Sequence, residues 1–154
     1  MGKPVVSVII PCYNHGKFLE ESIQSVLRSD YSAIEVIVVN DGSTDSFTNQ
    51  FIDNYNHPGV RVIKTTNQGL AVARNTGIKS SCGKYILPLD ADDKISPTYI
   101  SEGIKILDND ESIKVVSSET RLFGAVNRRM AVLNFSMENL ICRNTMVCSS
   151  FFRR

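Results

Sequence analysis

Three carboxylates, Asp90, Asp92 and Asp93, directly follow the apolar run Tyr85-Ile86-Leu87-Pro88-Leu89. Acids spaced this closely raise one another's energy unless a cation or a set of donors neutralises them. Along an extended segment side chains alternate, so Asp90 and Asp92 are expected on one side and Asp93 on the other. Such a facing pair offers hard oxygen ligands for one shared Mg2+ or Mn2+ ion and the ion's own ligand. A competing reading makes Asp92 or Asp93 the N-cap of a helix starting near Pro97. A cap needs one carboxylate, so capping accounts for one of the three acids and leaves the others.

Few other residues compete for chemistry. His15 lies in a loop and His57 in a turn beside Pro58, so both read as structural or solvated rather than as ligands or bases. Cys12, Cys82, Cys142 and Cys148 form no C-x-x-C pair, which favours reduced, mostly buried thiols in a cytosolic setting. Glu119 has no evident partner, and Glu138 reads as part of an exposed helix.

The acids need elements to position them. Val5 to Ile10 is a β-branched, almost continuous apolar run ended by Pro11, as expected of a strand buried on both faces of a parallel sheet. The loop Cys12 to Gly16 leads into a helix with Phe18, Leu19, Ile23, Val26 and Leu27 on one side. A second strand, Ile34 to Val39, breaks into Asn40-Asp41-Gly42-Ser43-Thr44-Asp45, where Asp45 is the better N-cap for a short helix through Phe51, Ile52 and Tyr55. After the turn Asn56 to Gly59 come a strand at Val60 to Thr65 and a helix entered through Asn67-Gln68-Gly69 and carrying Leu70, Ala73, Arg74, Gly77 and Ile78. Lys84 to Leu89 is the fourth strand, and Pro97 to Leu107 an amphipathic helix with Ile100, Ile104 and Leu107 inward. Further on, the pattern gives a strand at Ile113 to Ser117, a hairpin at Arg121 to Val132 crossing over the site, a short helix at Met137 to Cys142 and a last strand at Met146 to Phe152. Strands alternating with helices imply an α/β fold with a mostly parallel sheet, whose ligands sit in the crevice outside the strands' carboxyl ends. The loops from Pro11, Asn40 and Asp90 meet there.

Composition narrows the partners. A chain of 154 residues has the size of one domain with one core. Seventeen Lys and Arg against sixteen Asp and Glu leave +1, with no basic stripe to recommend nucleic acid. Val5 to Ile10 is too short for the apolar part of a signal peptide, and no stretch approaches the roughly 20 apolar residues of a membrane span. A soluble cytoplasmic domain is expected, with room for an association at the inner face of a membrane.

Read together, Val8-Ile9-Ile10-Pro11-x-Tyr13-Asn14, Val39-Asn40-Asp41-Gly42-Ser43-x-Asp45, Asn67-x-Gly69-x-x-x-Ala73-Arg74-Asn75-x-Gly77 and Leu89-Asp90-x-Asp92-Asp93 resemble a family 2 glycosyltransferase of the GT-A fold, in family order over about residues 5 to 100. The resemblance implies a Rossmann-like sheet with flanking helices and an inverting, metal-dependent transfer of sugar from a nucleoside diphosphate sugar, most often a uridine one, to a saccharide, lipid-linked or other hydroxyl acceptor. Polysaccharide biosynthesis at the cell envelope is the implied setting. Asp41 would accept a hydrogen bond from the base, Tyr13 would stack on it from a loop fixed by Pro11, with Asn14 and Asn67 beside the nucleotide, and Arg74 would reach the base or phosphates. Asp92 would ligate Mn2+ or Mg2+ directly, and Asp90 would hold the ribose hydroxyls or a metal-bound water. The family's general base lies downstream of a strand end resembling Ser149 to Arg154, so it is expected beyond residue 154, with the acceptor part. The chain is therefore expected to be the donor-binding part of a C-terminally truncated domain that self-associates through uncovered apolar surface. Two alternatives stay open: a nucleotide-sugar-binding module without turnover, and a nucleotidylyltransferase. The second lacks support because Pro11 to Gly16 holds one glycine and no arginine to cradle a triphosphate.

Overall fold

The computed structural model of the chain describes residues 5–130, 136, 138–139 and 146–154. In chain order its elements are β1 (Val6–Cys12), α1 (Gly16–Leu27), β2 (Ile34–Asp41), α2 (Ser46–Asn54), β3 (Val60–Thr65), α3 (Leu70–Ser80), β4 (Tyr85–Pro88), α4 (Tyr99–Asn109), β5 (Val115–Val116), β6 (Arg121–Leu122), β7 (Arg128–Arg129) and β8 (Phe151–Arg153). The main sheet has the order β3-β2-β1-β4-β8-β5. Its first four strands are parallel, and β8 inserts antiparallel between β4 and β5. This is the expected α/β architecture with one antiparallel strand next to its edge.

Every residue of β1 is buried, and its side chains divide between two cores by the strand's period of two. Val6, Val8, Ile10 and Cys12 join Leu19, Ile23, Val26, Ile52, Ile100 and Leu107 from α1, α2 and α4. Ile9 joins Ile37, Val39, Ile86 and Ala73 of α3 on the other face. Phe18, expected inward on α1, is 41% exposed instead. On the α3 face the fit is close: a Cβ added at Gly77 would lie 2.3 Å from Cγ2 of Ile9. Glycine there lets α3 settle onto the sheet, and that seating fixes where Arg74 points.

Several boundaries differ from expectation. β1 continues through Pro11 to Cys12; β4 is paired with β1 only as far as Ile9, which relieves residue 11 of a ladder bond on that side. α4 starts at Tyr99 with Thr98 at its N-cap and no side-chain cap. Neither Asp92 nor Asp93 caps it, because the acids close a tight turn several residues earlier. Asp45 does cap α2, accepting from Thr48 N at 2.8 Å. The strand expected at 113–117 shortens to Val115–Val116, and that at 146–152 becomes Phe151–Arg153. The hairpin forms as β6 and β7 in a separate ribbon. Most of the helix expected at Met137 to Cys142 lies outside the described residues, of which Glu138 is exposed. Among the described cysteines Cys12 is buried, Cys148 intermediate and Cys82 exposed, so burial is less general than expected.

Candidate functional site

The carboxyl ends of β1, β2 and β4 bring the three loops together around a cavity of about 420 Å³. Pro11, Tyr13, Asp41, Asn67, Asp90 and Asp92 all line it. Tyr13 is 44% exposed, so its ring belongs to the cavity mouth and not to the core. Asn14 does not line the cavity among the described residues. It adopts φ 57, a left-handed conformation that asparagine tolerates, and its Oδ1 accepts from Thr44 N at 2.7 Å and Asp45 N at 3.1 Å. Its part is to tie the first loop to the second.

Asp41 is buried and already engaged. Its Oδ1 accepts from Gln68 N at 3.0 Å and Thr65 Oγ1 at 3.2 Å, and its Oδ2 from Gly69 N at 2.9 Å. A carboxylate has about four lone-pair sites, so one remains for a donor in the cavity. The carboxylate therefore holds the loop that carries Asn67 while keeping an acceptor free. Gly42, at φ +66, permits this: a Cβ there would sit 2.5 Å from Asn67 N.

The acids at the end of β4 do not stay extended. Asp93 N donates to Asp90 O at 3.0 Å, closing a turn that replaces strand alternation and brings Asp93 to the same side as Asp90. Ligand atoms of Asp90, Asp93 and Cys148 lie within 4.8 Å of one another. Asp92, expected to pair with Asp90, instead comes 4.0 Å from Nδ1 of His15, with half of its side chain exposed. Arg74 Nη2 donates to Asp90 Oδ1 at 2.5 Å, so the guanidinium expected on a diphosphate is held by the first acid, and its buried Nε has no partner among the described residues. Cys148 Sγ donates to Asp90 Oδ2 at 3.1 Å. Burial and that hydrogen bond push the Cys148 thiol up to about 12, and burial together with the charges of Asp90 and Asp92 raises Asp93 above its ordinary value. The cluster thus carries more negative charge than its one arginine balances. Hard carboxylate oxygens in excess at the edge of the cavity fit a divalent cation such as Mg2+ or Mn2+.

Two participants were missed in the sequence. His15 lines the cavity and faces Asp92, and only its position just after β1 hinted at that. Cys148 reaches the acids because β8 runs antiparallel beside β4, so the residues before β8 sit where β4 ends. Glu119 pairs with Arg129 at 3.5 Å on the surface and does not line the cavity. His57 is a turn staple, its Nδ1 accepting from Gly59 N at 3.1 Å. Among the described residues no helix is long and apolar enough to cross a membrane.

Comparison with known proteins agrees with this geometry. An uncharacterized glycosyltransferase of Escherichia coli, YibD, is 42% identical over 96 residues, which are 60% of this chain and 27% of that protein. The chain thus spans about a quarter of this curated relative's length. Among solved structures, S. aureus TarS 1-349 in complex with UDP superposes with a TM-score of 0.75 at 26% identity, covering 96% of this chain and 46% of that one. The mannosyltransferase PcManGT from Pyrobaculum calidifontis, in complex with GDP-Man and Mn2+, gives 0.64 at 28% identity over 75% of this chain and 35% of that one. The fold is that of GT-A glycosyltransferases. Residues 7–153 match the family described as Glycosyl transferase family 2, and with the motif residues of all three loops gathered at one end of the sheet, the chain belongs to that family.

Proposed function

We propose that this chain is the donor-binding part of an inverting, metal-dependent glycosyltransferase that takes a uridine diphosphate sugar and transfers the sugar to a hydroxyl acceptor. The observation that carries this reading is one cavity with an acceptor carboxylate and an aromatic ring at one side, Asp41 and Tyr13, and the acids Asp90 and Asp92 at the other. Uracil offers an N–H to the lone pair that Asp41 keeps free, where adenine presents a ring acceptor. Tyr13 stacks on the base, a contact worth about 1–3 kcal/mol. UDP in one similar structure, and GDP-Man with Mn2+ in another, support a nucleotide at this end of the sheet.

Asp92 and Asp90 are the residues that would hold Mn2+ or Mg2+, with Asp93 behind them. When bound there, the cation supplies charge neutralisation for the diphosphate leaving group. Arg74 orients Asp90 and would offer its remaining guanidinium donors to a diphosphate. Inversion needs a base for the acceptor hydroxyl; Glu119 is paired with Arg129 on the surface and does not line the donor cavity.

Titration calorimetry with UDP, GDP and ADP, each with and without Mn2+, tests the reading. UDP is expected to bind at least tenfold more tightly than ADP, with Mn2+ strengthening it. Equal affinity for UDP and ADP would remove Asp41 from base recognition, and indifference to Mn2+ would remove the metal.

A further inference from the structure

The β6–β7 hairpin stands apart from the main sheet as a ribbon of two strands. Two strands make a single layer, so apolar side chains at the ribbon's tip have no interior of its own to enter. Phe123 at the turn is 50% exposed, Val126 52% and Met130, at the foot of the second strand, 43%. Gly124, at φ +92, reverses the chain between Phe123 and Val126. The same ribbon concentrates positive charge. Residues 121–130 hold Arg121, Arg128 and Arg129 and no acid, while the whole chain sums to only +1. In the strand register Arg121 lies directly opposite Arg129, on one face, where like charges destabilise a ladder. Little inside the chain offsets them. Glu119 reaches Arg129 at 3.5 Å, but the two side chains are 74% and 82% exposed and water screens the pair. Arg121 Nε donates to the neutral Asn127 Oδ1 at 2.8 Å, and Arg128 has no hydrogen bond or ion pair among the described residues. Lys94, whose Nζ lies 4.4 Å from the centre of the Phe123 ring, is matched by Glu21 at 2.6 Å.

Unbalanced arginines call for external anions, and exposed apolar side chains for a nonpolar medium; one occupant has to supply both. A polyanion such as RNA would pair the arginines and leave Phe123, Val126 and Met130 in water. The apolar face of a folded protein would cover those three side chains and draw guanidiniums out of water, which costs stability unless each finds a partner. An anionic bilayer offers the two media in the right order, acyl chains for the tip and, above them, phosphate oxygens that match a guanidinium fork. The spacing agrees. From Arg121 to Phe123, or from Arg128 back to Val126, is two residues, about 7 Å of extended chain, and apolar groups bound at a bilayer surface enter it by roughly 5–10 Å. We infer that the β6–β7 hairpin is a membrane-docking element, whose tip enters the headgroup region of an anionic bilayer while Arg121, Arg128 and Arg129 bind lipid phosphates. The inference is independent of the donor-site reading, because none of these residues lines that cavity.

The chain contains no tryptophan, so Val126→Trp places a single fluorescent reporter at the tip, and Phe47→Trp, at a site 58% exposed on α2, places one on a different element. With vesicles of phosphatidylcholine and phosphatidylglycerol, Val126→Trp is expected to shift its emission to the blue and to be quenched by brominated acyl chains, and Phe47→Trp to do neither. Cosedimentation of the unsubstituted chain should be strong with these vesicles and fall about tenfold or more with phosphatidylcholine alone. Arg121→Gln combined with Arg128→Gln should weaken binding to the anionic vesicles about twentyfold, on the order of fivefold per arginine, and Phe123→Ser about tenfold, with melting temperatures unchanged. The tryptophan readout stands whether or not the other variants keep their fold. A chain that does not cosediment with the anionic vesicles would overturn the inference. Binding that survives both sets of substitutions in folded protein, or a tip tryptophan that stays unshifted on bound vesicles, would put the contact elsewhere and overturn it too. Dimerisation without lipid that Phe123→Ser abolishes would make the hairpin an interface between copies of the chain, and salt-sensitive binding of RNA without binding of vesicles would make it a polyanion site; either result would also sink the proposal.

Discussion

The two ends of the parallel sheet treat their carboxylates in opposite ways. At the amino end Glu35 accepts from Ser7 Oγ at 2.5 Å and Cys82 N at 2.7 Å, with Arg61 3.9 Å away, while Ser7 Oγ in turn accepts from Gly83 N at 2.9 Å. Burial pushes Glu35 up, yet these donors outweigh it and hold the acid below its ordinary value. At the carboxyl end three acids stand against one guanidinium, which is bonded to Asp90, and Asp93 is raised. Both ends collect loops, because parallel strands must be joined by crossovers at each end. The difference is spare charge: a carboxylate whose charge is offset by donors and a guanidinium is part of the scaffold, whereas acids that outnumber their cation are available to a ligand.

Breaking the carboxyl end should remove binding and spare folding. Asp92→Ala is expected to abolish the strengthening of UDP binding by Mn2+, a loss on the order of a hundredfold or about 2.7 kcal/mol, with an unchanged melting temperature because the side chain is half exposed. Asp90→Ala should only weaken the Mn2+ effect. Paramagnetic broadening of the nucleotide signals reads both, and a full Mn2+ effect in Asp92→Ala would contradict the division between the two ends.

A change between the ends should disturb both properties. In Gly77→Ala the new methyl meets Ile9, and overpacking of this kind costs about 1–3 kcal/mol. Because α3 must lift to admit it, Arg74 moves away from Asp90, and UDP affinity should fall alongside stability in a urea titration. Stability lost with affinity intact would mean that the seating of α3 does not set the site.

At the amino end, Glu35→Gln keeps the shape and removes the charge, so hydrogen bonds to a charged acceptor become neutral ones, at a cost of about 1 kcal/mol. UDP affinity should not change. Since Glu35 is held below its ordinary value in the folded chain, its contribution is present above the unfolded value of about 4.3 and fades as pH falls through the folded one. The urea midpoints of wild type and variant should therefore differ at pH 7 and converge in acid; a gap that persists below pH 3 would assign the cost to packing.

Much of this contrast was legible in the residues and some was not. Strands buried on both faces leave continuous apolar runs, so Val5 to Ile10 and Ile34 to Val39 announced the sheet, and the turn formers after them announced the loops. Tyr13, Asp41, Asn67, Asp90 and Asp92 line the cavity as their positions after strands and before helices implied. What pattern could not convey was pairing across long separations. Cys148 meets Asp90 only because β8 enters antiparallel, Arg74 turns to Asp90 because Gly77 seats its helix, and Asp93 joins the cluster because a single backbone hydrogen bond folds the acids into a turn. Asn14 lies in the right motif but spends its side chain on Thr44 and Asp45.

The smallest expected effect has the opposite sign from all the others and is the sharpest test of spare charge. Asp93 is partly buried beside Asp90 and Asp92, and the causes that raise it, burial first and then the neighbouring charges, are costs that the folded chain bears and the unfolded chain does not. An acid raised on folding loses stability as pH climbs from its unfolded value through the folded one, so above the folded value the folded chain carries the full penalty. Asp93→Asn removes the charge and keeps the side chain's size, and should stabilise metal-free protein by about 0.5 kcal/mol once solvent screening is allowed for. Adding Mg2+ or Mn2+ should raise the melting temperature of the wild type by relieving the same repulsion, and should raise that of Asp93→Asn less, since part of the repulsion is already gone. A destabilised Asp93→Asn would mean that Asp93 is a structural acceptor like Glu35, and that the acids at the carboxyl end are as well balanced as the one at the other.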